Sequence, residues 1–388
     1  MVKRLEYFIP PYIMDFSIAG TTLLTNLRAM DLHAQPMQLG ILGFAWGFPY
    51  AVVCPFAGKA AGRFDRRIIL IASTLLYALY AALCTLAKQP LHLILAGPVG
   101  GVAAALFWPA YETVLHDRDK EETNRRLSIF NIGWTLGVMS GAALGGAFYE
   151  RIGGPAEFVF IATILFFDTL YIAWVTRHGI PPYAPIPQEE RRKEGEGVAV
   201  ARRMGYMRMA WIANFAFWFT GATANTIFPK LARSLHITDA MIGLIMASVW
   251  VMQLLVFYTL SRTLRWHYRI APMLFLQSIG VIGILLVAWG GVASVFILAF
   301  MLMGVARGLT YSSSLFYSLD TNAAESGNTG LHETIVGAAY LSAPLVAGYS
   351  AAGISLRAPF VIAIGLCILG MGLQIILWRQ LPANVSLT

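Results

Sequence analysis

The chain has 388 residues, of which 57% are hydrophobic and only 12% are charged. Soluble domains carry about 25% charged residues, so this composition excludes a soluble protein. The net charge of +8 would suggest a nucleic-acid partner for a soluble chain, but here it indicates orientation in a membrane. Cys54, Cys84 and Cys367 lie far apart in apolar runs, which implies neither a disulfide framework nor a metal cluster. We expect no metal and no cofactor.

Twelve apolar segments of spanning length follow one another along the chain. A polar stretch with four prolines separates the sixth segment from the seventh and has the composition of a linker. We therefore predict an all-α membrane protein with a first six-helix bundle over 1–176, a cytoplasmic linker over 177–207 and a second bundle over 208–388. The predicted spans are 8–27, 39–57, 68–87, 91–114, 127–149, 158–176, 209–228, 241–260, 270–289, 292–319, 330–351 and 359–378.

Lysine and arginine are distributed unevenly between the predicted loops. With the N-terminus in the cytoplasm, 21 of the 28 basic residues fall on the cytoplasmic side and six on the outer side. Such an excess is the positive-inside pattern of membrane proteins. We predict an integral protein of the cell (inner) membrane with both termini in the cytoplasm.

The two halves of the chain resemble each other at a steady offset. Leu32 and His33 recur as Leu235 and His236, each pair 203 positions apart. Glycine and serine positions in later spans recur at offsets of 202 and 207. A duplicated six-helix unit gives offsets of this kind, and its two copies share one orientation in the membrane.

With this repeat and a polar middle loop, the chain resembles the major facilitator superfamily over nearly its whole length. The loop from 58 to 67 is similar to the family's glycine and arginine loop signature, in which an acidic residue latches the cytoplasmic side. Gly62 stands where the family has the acidic residue, and Asp65 stands where it has glycine. The resemblance implies a gating role for Arg63, Asp65 and Arg66. Plain topogenic charge is the alternative for these residues.

The fifth predicted span carries glycines at every fourth position, from Gly133 through Gly137 and Gly141 to Gly145. This spacing leaves a flat helix face that lets another helix approach closely. It resembles the antiporter signature of the family's drug exporters, at the interface of the two bundles, although Ala142 replaces the expected proline. We favour tight packing over an antiporter signature, with gating as the functional alternative. Gly97 stands near the position at which many proton-coupled members carry an arginine.

Polar residues form stripes along three spans that line the central cavity in the resembled fold. Charges in the hydrocarbon core are costly, so each one predicts a functional site. We interpret Arg307 as a residue that binds substrate or forms a charge pair, with Asp15 as its partner or as a protonation site. A structural ion pair that clamps the bundles is the alternative. The stripes contain Asp15 and Asn26, Arg307 and Tyr311, and Asn214, Trp218 and Asn225.

Three further acidic positions have weaker interpretations. Glu112, beside Trp108 at the end of the fourth span, lines the inner mouth or is a surface charge. Glu333 opens the eleventh span, where it caps the helix or relays protons. Asp168 lies in the middle of the sixth span and has no predicted role.

The predicted function is secondary transport of a small amphipathic molecule by alternating access, as a monomer in the lipid bilayer. We favour proton-coupled efflux, because the fifth-span glycines resemble those of drug exporters and the tryptophans suggest an amphipathic cavity. Uptake of an anionic or polar metabolite follows from Arg307, and a receptor or lipid scramblase is the alternative from another class. No nucleotide-binding motif occurs in the sequence, so ATP-driven transport would need another subunit. All seven histidines fall in loops or at span ends and none has metal-ligand spacing, so we predict that the protein is not an enzyme.

Overall fold

The computed structural model describes residues 5–61, 63–115, 120–177, 198–263, 265–320 and 327–381. Within these ranges the regular secondary structure is all α-helix, as the sequence predicts, whereas Gly62 and most of the predicted linker lie outside them. The helices are α1 Ile9–Asp31, α2 Pro36–Ala61, α3 Arg66–Thr85, α4 Pro90–Leu115, α5 Lys120–Ile152, α6 Gly154–Val175, α7 Val198–Ser234, α8 Asp239–Ser261, α9 Ile270–Trp289, α10 Ala293–Asp320, α11 Gly327–Gly353 and α12 Ala358–Arg379.

Nine of the described helices are long and apolar enough to cross a membrane. The other three, α1, α5 and α7, are less apolar because they carry hydroxyl, amide or charged side chains. On α1 these side chains lie inside the fold: Ser17 and Thr21 are wholly buried. The hydroxyl of Thr21 donates a hydrogen bond to the carbonyl oxygen of Ser17 over 2.7 Å, which satisfies it without water.

The helices of each half pack mainly against one another. In the first half α1 packs against α5 and α6, α2 against α4, and α3 against α4 and α6; in the second half α7 packs against α10, α11 and α12, and α8 and α9 against α10. The halves meet chiefly through α2 with α11 and α5 with α8. At the first of these contacts a β-carbon on Gly40 would lie 2.8 Å from the Cα atom of Gly348. Only glycine allows the two backbones to approach this closely.

The glycine row of α5 faces α1, a helix of the same half. A β-carbon on Gly137 would lie 2.3 Å from the carbonyl oxygen of Tyr12, and one on Gly141 would lie 2.3 Å from that of Phe16. The row therefore provides the close helix packing that its spacing predicts. The contact across the halves is made by Gly146, where a β-carbon would lie 2.2 Å from the carbonyl oxygen of Asp239 on α8.

The Leu-His repeat ends α1 and α7 with the same turn. His33 and His236 both adopt a left-handed conformation, with φ of 64° and 59°. Ala34 N–H donates to the carbonyl of Ala29 over 2.8 Å, and Ile237 N–H donates to that of Ala232 over 3.1 Å. This is the Schellman C-cap. All equivalent residues are 203 positions apart, so the structure supports the internal repeat.

The loop before α3 differs from the role that the family resemblance implies for its acidic residue. The carboxylate of Asp65 accepts a hydrogen bond from the backbone N–H of Arg67 over 2.9 Å, so it caps its own helix and not a neighbouring one. Arg67 reaches the end of α6, where it donates to the carbonyl oxygen of Ala173 over 3.2 Å. Arg63 and Asp65 are exposed and Arg66 is buried.

Candidate functional site

A cavity with a water-accessible volume of about 210 Å³ lies between the two halves. Four helices of each half line it: α1, α2, α4 and α5, together with α7, α8, α10 and α11, and α3 adds one ring, Tyr80. The predicted residues that border it are Asp15, Asn26, Trp108, Glu112, Trp218, Asn225 and Tyr311. The polar stripes of α1, α7 and α10 therefore contribute to one site.

Aromatic rings from both halves form much of the cavity wall. The rings of Trp46 and Tyr340 lie 6.0 Å apart, centre to centre, and join α2 to α11. The rings of Trp134 and Trp250 also lie 6.0 Å apart and join α5 to α8. Trp218 packs against Tyr340 at 5.6 Å. Such edge and tilted contacts give an apolar surface with π-faces, suited to a ligand with an aromatic body.

Asp15 places a carboxyl group in this aromatic wall. It lies on α1, is only 8% exposed and borders the cavity. Among the described residues it takes part in no ion pair. One turn from the far end of α1, the side-chain amide of Asn26 donates to the backbone carbonyl of Asn225 over 3.3 Å, which links α1 to α7 across the cavity.

Arg307 does not pair with Asp15, contrary to our expectation. Its guanidinium carbon lies over the rings of Trp218 and Trp250, 4.4 Å from each ring centre. Arg307 is 5% exposed and does not border the cavity, because the two indole rings do. Gly221 leaves room for it: a β-carbon there would lie 3.2 Å from Nη1 of Arg307. The Arg307 side chain thus lies behind the part of the cavity wall that the second half forms.

Asn214 does not border the cavity either. Asn214 is wholly buried on α7, and neither atom of its amide has a hydrogen-bond partner in the described part of the chain. The side chain of Glu333 lies outside the described residues and is therefore neither assigned to the cavity nor excluded from it.

Glu112 is exposed and also borders the cavity, so the cavity opens to the exterior of the protein near the end of α4. We call this region the open end.

An ionic network joins the two halves beyond the opposite end of the cavity. Arg233, at the end of α7, contacts Asp31 of α1 at 2.7 Å and Asp239 of α8 at 2.7 Å. The hydroxyl of Tyr149 on α5 donates to Asp31. Burial lowers the pKa of the Arg233 guanidinium, but the hydrogen bonds and charges of Asp239 and Asp31 more than compensate and raise it overall. Arg233 therefore stays charged while it holds both halves. These four residues define the closed end.

Two backbone contacts strengthen the closed end. The carboxylate of Glu150 accepts a hydrogen bond from the backbone N–H of Ala240 over 2.8 Å, at the N-terminus of α8. The ammonium of Lys230 donates to the carbonyl oxygen of Ala34 over 2.6 Å. Each contact joins one half of the chain to the other.

None of the closed-end residues was predicted from the sequence. These residues lie at helix ends, where charged side chains are common and therefore do not indicate a functional site. One signal was available, because Arg233 and Asp239 flank the repeated Leu-His turn and so must lie close together. Tyr50 and Tyr340, which border the cavity, were missed because an aromatic residue in an apolar span has no distinguishing pattern.

Comparison with known protein families identifies the fold and its class. The model of the Major Facilitator Superfamily matches residues 11–329. The chain belongs to this superfamily. It is a membrane transporter of the family to which its repeat and loop motif pointed.

Individual relatives of this superfamily member are distant. The chain is 25% identical over 304 residues to the uncharacterised MFS-type transporter YfiS of Bacillus subtilis, covering 74% of this chain and 71% of that protein. It is 24% identical to the multidrug resistance protein MdtG of Erwinia billingiae over 44% of this chain and 43% of that protein. The crystal structure of the nucleoside transporter NupG matches with a TM-score of 0.75 and 13% identity, covering 98% of this chain and 100% of that one. This likeness shows the shared fold.

Proposed function

We propose that the protein exports small amphipathic molecules by alternating access, coupled to protons. One observation carries the proposal: the cavity is sealed at one end, open at the other, and holds a buried carboxyl group. Residues 1–176 and 208–388 are the two moving bodies in this proposal, and 177–207 connects them. Because a single chain supplies both walls, a monomer is sufficient for transport.

The distribution of basic residues supports the direction of transport. The closed end lies at the α1–α2 and α7–α8 turns, which the positive-inside pattern places outside the cell. The open end then faces the cytoplasm, so this conformation can load a molecule from inside. Relatives named multidrug resistance proteins agree with export.

The chemistry of the wall favours neutral or cationic molecules over anions. In the described part of the cavity no lysine, arginine or histidine borders the space. The alternative prediction, uptake of an anionic metabolite, depended on an Arg307 that binds the anion directly. Arg307 lies behind the cavity wall, so it does not offer an anion a direct contact. The aromatic rings supply apolar surface, and Asp15 in the wall and Glu112 at the open end supply carboxyl groups.

Coupling to protons would operate through Asp15. A buried carboxylate can hold either a proton or the charge of a bound cation, but not both at once. Loading a cation from the cytoplasm releases the proton inward, and protonation from outside releases the cation outward. The two occupants then travel in opposite directions. Gating by Arg63, Asp65, Arg66, Gly137, Gly141 and Gly145, and a relay at Glu333, stay predictions.

Flux measurements in liposomes test this proposal. We expect the reconstituted protein to move ethidium, a fluorescent lipophilic cation, against its gradient when a pH gradient is imposed. Asp15→Asn should abolish the dependence on the pH gradient because it cannot exchange a proton. Asp168→Asn is the matched control, because Asp168 is also a buried carboxyl group but does not border the cavity, and this variant should keep that dependence. A folded Asp15→Asn variant with wild-type, gradient-driven flux would contradict the role of Asp15.

A further inference from the structure

Charge is distributed unequally across the cavity. On the side of the first half, Asp15 borders the space directly. On the side of the second half, Trp218 and Trp250 border the space, and Arg307 lies over both rings without reaching it. A ligand in the cavity therefore meets a carboxylate on one side and a screened guanidinium on the other.

The guanidinium keeps its positive charge, because arginine does not lose its proton in proteins. Among the described residues no carboxylate lies within ion-pair distance of Arg307, and its Nε–H has no hydrogen-bond partner. An unpaired charge in a medium of low dielectric constant acts over many ångströms, so its field reaches the cavity.

The two indole rings already make cation–π contacts with the Arg307 guanidinium. A guanidinium 4.4 Å from a ring centre uses the negative face of the ring and is stabilised by it. Trp218 and Trp250 are therefore poorer sites for the cationic group of a ligand than an unoccupied indole. They remain good surfaces for stacking the apolar part of the ligand.

We propose that Arg307 determines specificity for charge, and that the substrates are organic cations with one positive charge and an aromatic body. The cationic group lies at Asp15, and the aromatic body stacks on Trp218 and Trp250. A second positive charge would have to approach Arg307 and is repelled. The inference deepens the proposed export function and rests on it.

Ethidium and propidium form a matched pair of probes, since they share one aromatic ring system and carry one and two positive charges. Their affinities for the purified protein can be measured by fluorescence titration. We expect the wild-type protein to bind ethidium more tightly than propidium. Arg307→Gln should raise the affinity for propidium relative to ethidium by about tenfold, because it removes one charge repulsion. Arg307→Lys keeps the charge and should keep the wild-type ratio within about threefold.

Control variants separate a charge effect from a folding defect. Asp15→Asn should weaken binding of both probes without narrowing the difference between them, because it removes attraction and not repulsion. Thermal unfolding of each variant verifies that it is folded. An unchanged ratio in folded Arg307→Gln would overturn the inference, and so would a wild-type protein that binds neither probe. Proton-driven flux of a neutral compound would, in that last case, still support the proposed export function.

Discussion

His33 and His236 show how a single backbone conformation repeats along with the sequence. Both residues are exposed and both have positive φ, a region that glycine enters without steric cost. A residue with a side chain in this region lowers the free energy of unfolding by about 1–2 kcal/mol through steric strain. Glycine lowers it by about 0.5–1 kcal/mol, because its unfolded state has more conformational freedom. The turn that ends each helix is therefore made by a residue that is not optimal for it.

Replacing either histidine by glycine should stabilise the protein. We expect His33→Gly and His236→Gly each to raise the free energy of unfolding by up to about 1 kcal/mol, since neither exposed side chain loses packing. Thermal unfolding in detergent measures the effect. Gly153→Ala is the control of opposite sign: Gly153 has φ of 84° and open space around it, so the added methyl group meets only backbone strain. Lower midpoints for both histidine variants would refute this reading of the turns.

The spacing of polar residues along α1, α7 and α10 predicted which of them share a helix face, and the family resemblance implied that these faces line a cavity. Asp15, Asn26 and Asn225 border the cavity, whereas Asn214 of the same α7 stripe does not. Arg307 was also expected at the cavity, but it lies behind the indole rings that form the wall. Helical spacing gives the face of a side chain but not its depth, and Trp218 and Trp250 occupy the layer in front.

Among the helices, α5 has two glycine faces with different partners. Gly137 packs against α1 within the first half, whereas Gly146 packs against α8 across the halves. A methyl group added at either position would overlap a backbone oxygen, at 2.3 Å and 2.2 Å. In the proposed alternating-access mechanism the contact with α1 stays intact and the contact with α8 opens, so the two substitutions should have different consequences.

We expect Gly137→Ala to lower the free energy of unfolding by about 1–3 kcal/mol, the usual cost of overpacking. Gly146→Ala should have a smaller effect on unfolding and should instead favour opening of the closed end. Chemical labelling of a cysteine placed at Ala222 in the cavity, with a reagent that cannot cross the membrane, measures that opening. Gly372→Ala, where nothing lies within 4 Å, is the neutral control. Equal effects of Gly137→Ala and Gly146→Ala on labelling would contradict the distinction.

Helix number and order followed from hydropathy, but helix length did not. The predicted spans 127–149 and 209–228 became Lys120–Ile152 and Val198–Ser234. Hydropathy marks the part of a helix that crosses hydrocarbon. Charged residues at either end continue the helix into the interfacial region without leaving an apolar signal.

In the whole molecule, the conformational state depends on how firmly the closed end is held. Arg233 contacts both Asp31 and Asp239, with about a quarter of its side chain exposed. An isolated exposed ion pair contributes little to stability. If the two halves move as proposed, a bidentate network that joins them biases the equilibrium between their arrangements.

Arg233→Gln should open this end more often. We expect the cysteine at position 222 to be labelled about three- to tenfold faster from outside in this variant, and high salt to have a similar, smaller effect on the wild-type protein. Arg28→Gln is the matched control, because Arg28 donates to the carbonyl of Ala87 within the first half. Labelling rates that do not change in Arg233→Gln would show that other contacts hold the closed end.

The polarity of α1, α5 and α7 has a consequence for how the protein is made. Helices leave the ribosome one at a time, and each must partition from the translocon into lipid. The buried hydroxyl, amide and carboxyl groups that shape the finished interior are, at that moment, turned toward hydrocarbon or toward the insertion machinery. We expect α1 to remain at the translocon until α5, its main packing partner, has been synthesised. The polar groups that shape the interior of the mature transporter thus make the membrane insertion of α1 depend on when its neighbouring helices are synthesised.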